Sequence, residues 1–372
     1  MLTIGLGFKI IDSMSTGKGK KHLTAALIGI SACTMYLNAC AEGCMTDVDT
    51  FAESMRNSFS AGEIKKIPSG IKIACAEQKT KSIIIFEPSI GDWGNPDAIY
   101  FKWDANTAPG IREADRIKFE SPTECKILEG GRKMLVTASM GGVAIVEIPS
   151  GKTLLYKSVT APSETWRDAN PHSAEMLPDG NIAVASSFGK RNLILLGVPE
   201  KFSSPEDVRE FPMEFLSAHG VVWDESHEIL WVLGYEELAG FKYNFDKQNP
   251  SVKKIFSAQI LTNGKPFDGH DLVFAPETPF LIMTGDSEVR LFDTRTRKFA
   301  TVRIFKDKLK SISMLPQKCG SATITVKPEK EYWAETVRFF SKNFPVVGNM
   351  GAETKFYKAR WYCGRDDMLL KQ

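Results

Sequence analysis

Pro171-His172-Ser173-Ala174-Glu175-Met176-Leu177-Pro178-Asp179-Gly180 reads as a strand that opens on a histidine and closes in a tight turn. Two later phrases open alike: Ala218-His219-Gly220-Val221-Val222-Trp223-Asp224 and Gly269-His270-Asp271-Leu272-Val273-Phe274-Ala275-Pro276. The histidines lie 47 and 51 residues apart. A period in this range, carried by strand-like phrases, marks β-propeller blades. Equivalent positions of the blades share one level around the ring axis. Three imidazoles distant in sequence are therefore expected to face one another.

Working outward, each histidine phrase is followed by three more short runs rich in Ile, Val, Phe and Leu, separated by Gly, Pro, Asn and Asp turns. That pattern predicts antiparallel strands. Innermost strands are expected at Thr123–Leu128, His172–Leu177, His219–Trp223, His270–Ala275 and Lys310–Leu315. A first blade, Ile71–Ala76, Ser82–Glu87 and Ile99–Trp103, has no innermost strand ahead of it. The sixth is laid out as Lys310–Leu315, Ala322–Val326, Thr336–Phe340 and Phe356–Tyr362, the last being a late strand near ring closure. The expected fold is all-β: a single propeller of six blades, five as the fallback, over residues 69–366. Residues 41–68 read as a tether with a short helix at Val48–Ser58.

The first 40 residues read as an export signal. Lys18, Lys20 and Lys21 precede an apolar stretch from Leu23 to Ile30, too short for a spanning helix. Ile30-Ser31-Ala32-Cys33 and Leu37-Asn38-Ala39-Cys40 both resemble a lipobox, so Cys33 or Cys40 is the expected lipidation site; cleavage after Ala39 or Ala41 is the alternative. A lipid-anchored protein of the bacterial cell envelope follows, periplasmic or surface-facing, with the membrane as partner. Cys75, Cys125, Cys319 and Cys363 have no metal-type spacing. Some could pair after export, but buried thiols are the expected state.

A net charge of +2 with interspersed signs gives no nucleic-acid footprint. No phosphate-loop, HExxH or GxSxG motif is present. A monomer is expected. Chemistry falls instead to the ring. Six residues before Pro178, Pro276 and Pro316 stand His172, His270 and Lys310. Aligning Leu128 with Leu177 puts Thr123 at the same level, and His219 completes the set. Polar residues at strand starts also serve merely to satisfy backbone and water, and that reading stays open. Beyond it, Lys310 with His172, His219 and His270 suits a carboxylate, sulfate, phosphate or sugar. The three histidines alone would suit a divalent metal, the one cofactor class the ring admits. A ring histidine could also act as base or nucleophile. Trp166 and Arg167, just upstream of His172, offer stacking and bidentate hydrogen bonding to a glycan. Asp92-Trp93-Gly94 and Glu331-Tyr332-Trp333 are aromatic loops that either line the same mouth or pack on the core. Glu175, three residues past His172, is expected on the opposite strand face.

Asn170-Pro171-His172 through Asn181, with Thr137-Ala138-Ser139-Met140-Gly141-Gly142, Leu230-Trp231-Val232-Leu233-Gly234 and Tyr357-Lys358-Ala359-Arg360-Trp361, resembles a family of uncharacterised bacterial propeller lipoproteins, over roughly residues 68–364. The resemblance implies a fold and an envelope location, and little chemistry. The histidine before a Leu-Pro-x-Gly-Asn turn is similar, more weakly, to arylsulfotransferase-type propellers. Two functions remain in view. One is an envelope propeller binding a small anion or carbohydrate. The other is a propeller enzyme, a lyase, hydrolase or transferase, using the histidine ring as metal site or base.

Overall fold

The computed structural model describes residues 47–60, 67, 70–160, 169–188, 191–302, 308–316, 319, 322–340 and 345–363. The signal stretch with Cys33 and Cys40, most of the tether, and the Trp166–Arg167 loop lie outside them. Within them no helix is long and apolar enough to cross a membrane.

The chain forms a six-bladed β-propeller of four-stranded antiparallel sheets. Blade two comprises β4 (Pro122–Leu128), β5 (Lys133–Ala138), β6 (Gly142–Glu147) and β7 (Thr153–Ser158). Blade three comprises β8 (Pro171–Met176), β9 (Ile182–Ser186), β10 (Leu193–Gly197) and β11 (Arg209–Met213). Blade four comprises β12 (Gly220–Asp224), β13 (Ile229–Leu233), β14 (Glu237–Tyr243) and β15 (Val252–Gln259). A two-stranded hairpin, β16 (Leu261–Thr262) and β17 (Lys265–Pro266), follows. Blade five comprises β18 (Asp271–Phe274), β19 (Phe280–Thr284), β20 (Val289–Asp293) and β21 (Phe299–Val302). Blade six comprises β22 (Ser311–Met314), β23 (Thr323–Val326), β24 (Thr336–Phe339) and β25 (Val346–Asn349).

Blade one corrects the sequence-based layout. Its sheet runs β26 (Phe356–Cys363), β1 (Ile71–Glu77), β2 (Ser82–Phe86), β3 (Ile99–Asp104). The C-terminal phrase is not the outer strand of blade six, whose outer place is taken by β25. It is the missing innermost strand of blade one. The ring therefore closes through one sheet built from both ends of the fold, with Ile71 paired to Cys363. Closure this way spares blade one an unpaired inner edge.

Each blade is covered on both faces, so its middle strands read as unbroken apolar runs, such as Ile83–Phe86 and Ile229–Leu233, buried throughout. One hydrophobic cluster fills each of the six blade interfaces. Trp93 belongs to the core and not to a ligand mouth: it is fully buried and stacks on Phe86 with centroids 4.3 Å apart. Helix α1 (Val48–Ser60) lays Val48, Phe51, Ala52 and Met55 over blade five, Phe51 meeting Phe280 at 4.9 Å. Cys75, Cys125 and Cys319 are free thiols, the first two buried.

Candidate functional site: one end of the axis

The inner strands share a device that plain alternation does not contain. In β4, Pro122 pairs with Ala138 and Glu124 with Thr137, so Thr123 is an extra residue. In β8, Pro171 pairs with Ser186 and Ser173 with Ala185, leaving His172 extra. In β26 the extra residue is Tyr357. The other three blades repeat the geometry at the strand start. The N–H groups of His219, His270 and Lys310 donate at 2.8 Å to the carbonyls of Leu233, Thr284 and Val326. Those three residues already pair with the next residue along, Gly220, Asp271 and Ser311. Two residues thus oppose one in every blade. Such a bulge re-aims a side chain and puts the bulged residue and its successor on the same face.

The upper level of the axis is therefore Thr123, His172, His219, His270, Lys310 and Tyr357. The sequence reading placed the first five together; Tyr357 is the sixth, supplied by the strand from the far end of the chain. The imidazoles of His172 and His219 stack with centroids 4.5 Å apart and planes 14° apart. His219 meets His270 edge-on at 6.0 Å. The Nδ1 of His172 lies 2.9 Å from the Tyr357 hydroxyl. Its Nε2 lies 3.0 Å from Asn170 Nδ2 and 3.1 Å from Ser187 Oγ. With Asn170 donating to Nε2, the ring proton sits on Nδ1 and faces Tyr357. His219 holds the Ser217 carbonyl through Nδ1 at 2.9 Å. Among the described residues, nothing bonds its Nε2. Thr123 is at ring level but sealed: its hydroxyl donates to the Pro171 carbonyl at 2.6 Å and the residue is fully buried. It has no free group for a ligand.

Lys310 Nζ lies 3.2 Å from His270 Nδ1, and His270 Nε2 lies 2.9 Å from Asp286 Oδ1. Lys308 Nζ pairs with the same Asp286 oxygen at 2.5 Å. The exposed ring of Tyr332 stands 5.4 Å from Lys310 Nζ, so this half of the Glu331-Tyr332-Trp333 loop does line the mouth. On the loop's other side Trp333 forms part of a groove of about 440 Å³ with Lys79, Lys330, Glu353 and Lys355. Sequence reasoning missed Asp268 and Asp286. Asp268 lies just ahead of the inner strand β18 and Asp286 in the turn between the middle strands β19 and β20, and only the fold brings the latter to His270.

Directly below lies a buried ionic layer that the sequence reading also missed. Arg360 grips Glu124 through Nε at 2.9 Å and Nη2 at 2.7 Å, and Asp271 through Nη1 and Nη2 at 2.7 Å each. Lys358 Nζ donates to Asp271 at 2.9 Å and approaches Glu124 at 3.4 Å. Lys126 bridges Glu175 at 2.7 Å and the Val221 carbonyl at 2.5 Å. Glu175 thus faces the axis and not the opposite side. The bulge at His172 shifts the alternation by one, which overturns the expectation from simple period two.

Burial sets the protonation states at the mouth. It drives His172 well below the ordinary imidazole value, with His219 and Lys358 adding to it. It takes His219 down to about 3 and His270 to about 4, the latter against the opposing hydrogen bond of Asp286. All three imidazoles are neutral at neutral pH. Burial, then Lys308, lowers the Lys310 ammonium to about 8. Burial and the Asp286 charge push Asp268 up to about 6. In the layer below, Arg360 and Lys358 hold the Glu124 and Asp271 carboxyls down against their burial.

The ring does not make a three-histidine metal site. Imidazole lone pairs lie in the ring planes, and the stacked planes of His172 and His219 cannot both contain one ion. The group whose ligand atoms do converge, within 4.8 Å, is Asp268, His270 and Asp286. There the Lys308 ammonium already neutralises Asp286, so a cation would have to displace it.

Fold and site define a class: a six-bladed propeller whose inner-strand bulges aim histidine, lysine and tyrosine into one end of the axis. The chain belongs to a family of unknown function (DUF6528), whose profile matches residues 24–367. No curated protein matches it. Among solved structures, the crystal structure of RRP9 WD40 repeats is similar over 60% of this chain, with 11% identity and a TM-score of 0.38. The match spans 60% of that structure's length.

Proposed function

We propose that this propeller is a cell-envelope binding protein whose axial mouth takes a small acidic sugar. One observation carries the reading. Lys310 is a ring cation with no carboxylate bonded to it among the described residues. Around it are neutral imidazoles, the hydroxyls of Ser187 and Tyr357, and the face of Tyr332. A ligand carboxylate satisfies Lys310, its hydroxyls meet His219 Nε2 and the rim, and a sugar face stacks on Tyr332. The lipobox-like cysteines, Cys33 and Cys40, support tethering of the domain to the membrane.

The test is a thermal-shift panel of hexuronates and sulfated or phosphorylated monosaccharides. A true ligand at ten times its Kd should add about 1.4 kcal/mol of stability. The shift should vanish in His219→Ala and Lys310→Met. A panel without any shift, or one that survives both substitutions, sinks the reading.

A further inference from the structure

Lys310, His270 and Asp286 stand in a chain of contacts. Asp286 accepts from His270 Nε2 at 2.9 Å, which fixes the ring proton there and leaves Nδ1 as an acceptor. That Nδ1 faces Lys310 Nζ at 3.2 Å. This is the arrangement of an activated nucleophile: a nucleophilic atom, a base in hydrogen-bond reach, and a third group orienting the base. The lysine is 5% exposed, and its surroundings are aromatic and imidazole rings. Tyr332 and Tyr357 stand 5.4 and 5.8 Å from Nζ.

We propose that Lys310 is an imine-forming lysine and that the ligand of the mouth carries a carbonyl carbon, an aldehyde or an α-keto acid. The inference rests on the binding reading, because the ligand must first enter the mouth. His270 Nδ1 relays one proton from the ammonium as the nitrogen attacks, without resting as an imidazolium, which its lowered value of about 4 disfavours. The freed nitrogen pair forms the N–C bond to the carbonyl carbon, and the carbonyl oxygen takes the proton that His270 relays. The C–O bond then breaks and the oxygen leaves as water with a second proton from nitrogen. Two of the ammonium's three protons depart in water and one stays on the iminium, so no oxidant or reductant is needed. The acid of an α-keto acid, which first draws the ligand to Lys310, would move to Lys308 as the imine forms; Lys308 shares Asp286 with His270. The lowered Lys310 value, about 8, fits a lysine that is partly free amine near neutral pH. Burial is the main cause of that shift, and the charges facing the group are Lys308 and Lys358, which lower it further, and Asp268 and Asp286, which oppose them.

The experiment is reductive trapping of the full chain with glyoxylate or pyruvate and cyanoborohydride, mapped by peptide mass spectrometry. Lys310 should be labelled at least tenfold faster than the exposed Lys79 and Lys330. The rate should rise with a midpoint near pH 8, where an exposed lysine would need a pH above about 10. His270→Gln keeps an acceptor for Lys310 but cannot carry the proton, so it should slow trapping at neutral pH about tenfold without unfolding the protein. Uniform labelling of all three lysines overturns the proposal. A glucuronate melting shift without any Lys310 adduct from either carbonyl probe overturns the imine and leaves the binding reading standing. Neither shift nor adduct removes both.

Discussion

At the scale of residues, the mouth and the layer beneath it make stability depend on pH in two stages. An imidazole whose folded pKa lies below its unfolded value, about 6.5, is protonated first in the unfolded chain. Acid therefore begins to favour unfolding near pH 6.5, and the loss grows until the folded values, about 3 for His219 and about 4 for His270, are reached. By pH 5 each of these two histidines should cost about 1–2 kcal/mol. The carboxylates work lower down. Glu124 and Asp271 are depressed, so their contribution is present above the unfolded carboxylate value of about 4 and disappears below it. Denaturant melts at pH 7.5 and 5.0 should separate, and His219→Asn should shrink the difference. Asp268, raised to about 6, works the other way in this window, so the decisive comparison is between chains: a pH difference left unchanged by His219→Asn would show that this imidazole is not held neutral by the fold. His172, His270 and Lys310 were legible because a constant count of six residues to a turn proline fixes their blade position, and His219 because its phrase recurs at the blade period. Tyr357 was not, since its strand joins a blade some 280 residues away in sequence and no turn proline follows it. The turn residues Asp268 and Asp286 carry no pattern at all.

At the scale of elements, two kinds of segment behaved differently in the sequence. Middle strands such as β13 announce themselves, because both blade faces are buried and the run is apolar throughout. The inner strands carry polar residues at their starts, and there alternation misleads. Glu175 is the case: a bulge of one residue at His172 turns it onto the axis, where Lys126 meets it. No composition rule marks a bulge that contains histidine. Helix α1 was expected only as a short helix, Val48–Ser58, within a polar tether without a strong period; the face of Val48, Phe51, Ala52 and Met55 and its docking on blade five emerge from the structure. That docking gives a prediction. Phe51 is buried against Phe280, and a large-to-small change at such a site costs about 3 kcal/mol. Phe51→Ala should therefore release α1, read as faster amide exchange over residues 48–60, while ligand binding at the axis stays unchanged. Undiminished protection of those amides would mean that the helix is held by something other than this contact.

At the scale of the whole molecule, β26 joins three jobs in one strand. It completes blade one, it places Tyr357 in the upper ring, and it carries Lys358 and Arg360 into the buried layer against Glu124 of blade two and Asp271 of blade five. The cations thus tie the last strand to blades on opposite sides of the axis. A buried charge left unpaired costs about 3–5 kcal/mol, so a register slip of β26 is disfavoured as well as an open ring. The seam between blades six and one cannot part without stripping β26 from β1. A permuted chain separates these roles. Residues 356–363 are moved ahead of residue 71 through a short turn, which the Ile71–Cys363 pairing allows. The β26–β1 pairing and the ionic layer survive, and the unfolded chain is no more free than before. Equilibrium stability should then change little, but the seam is no longer spanned by a covalent link from blade six. Unfolding should accelerate by tenfold or more, because contacts already broken in the transition state, those that part early in unfolding, are what slow unfolding. Stopped-flow unfolding of the permuted and native chains decides it. Equal unfolding rates would mean that the ring opens elsewhere first, and that the ionic layer, rather than the shared blade, holds the closure.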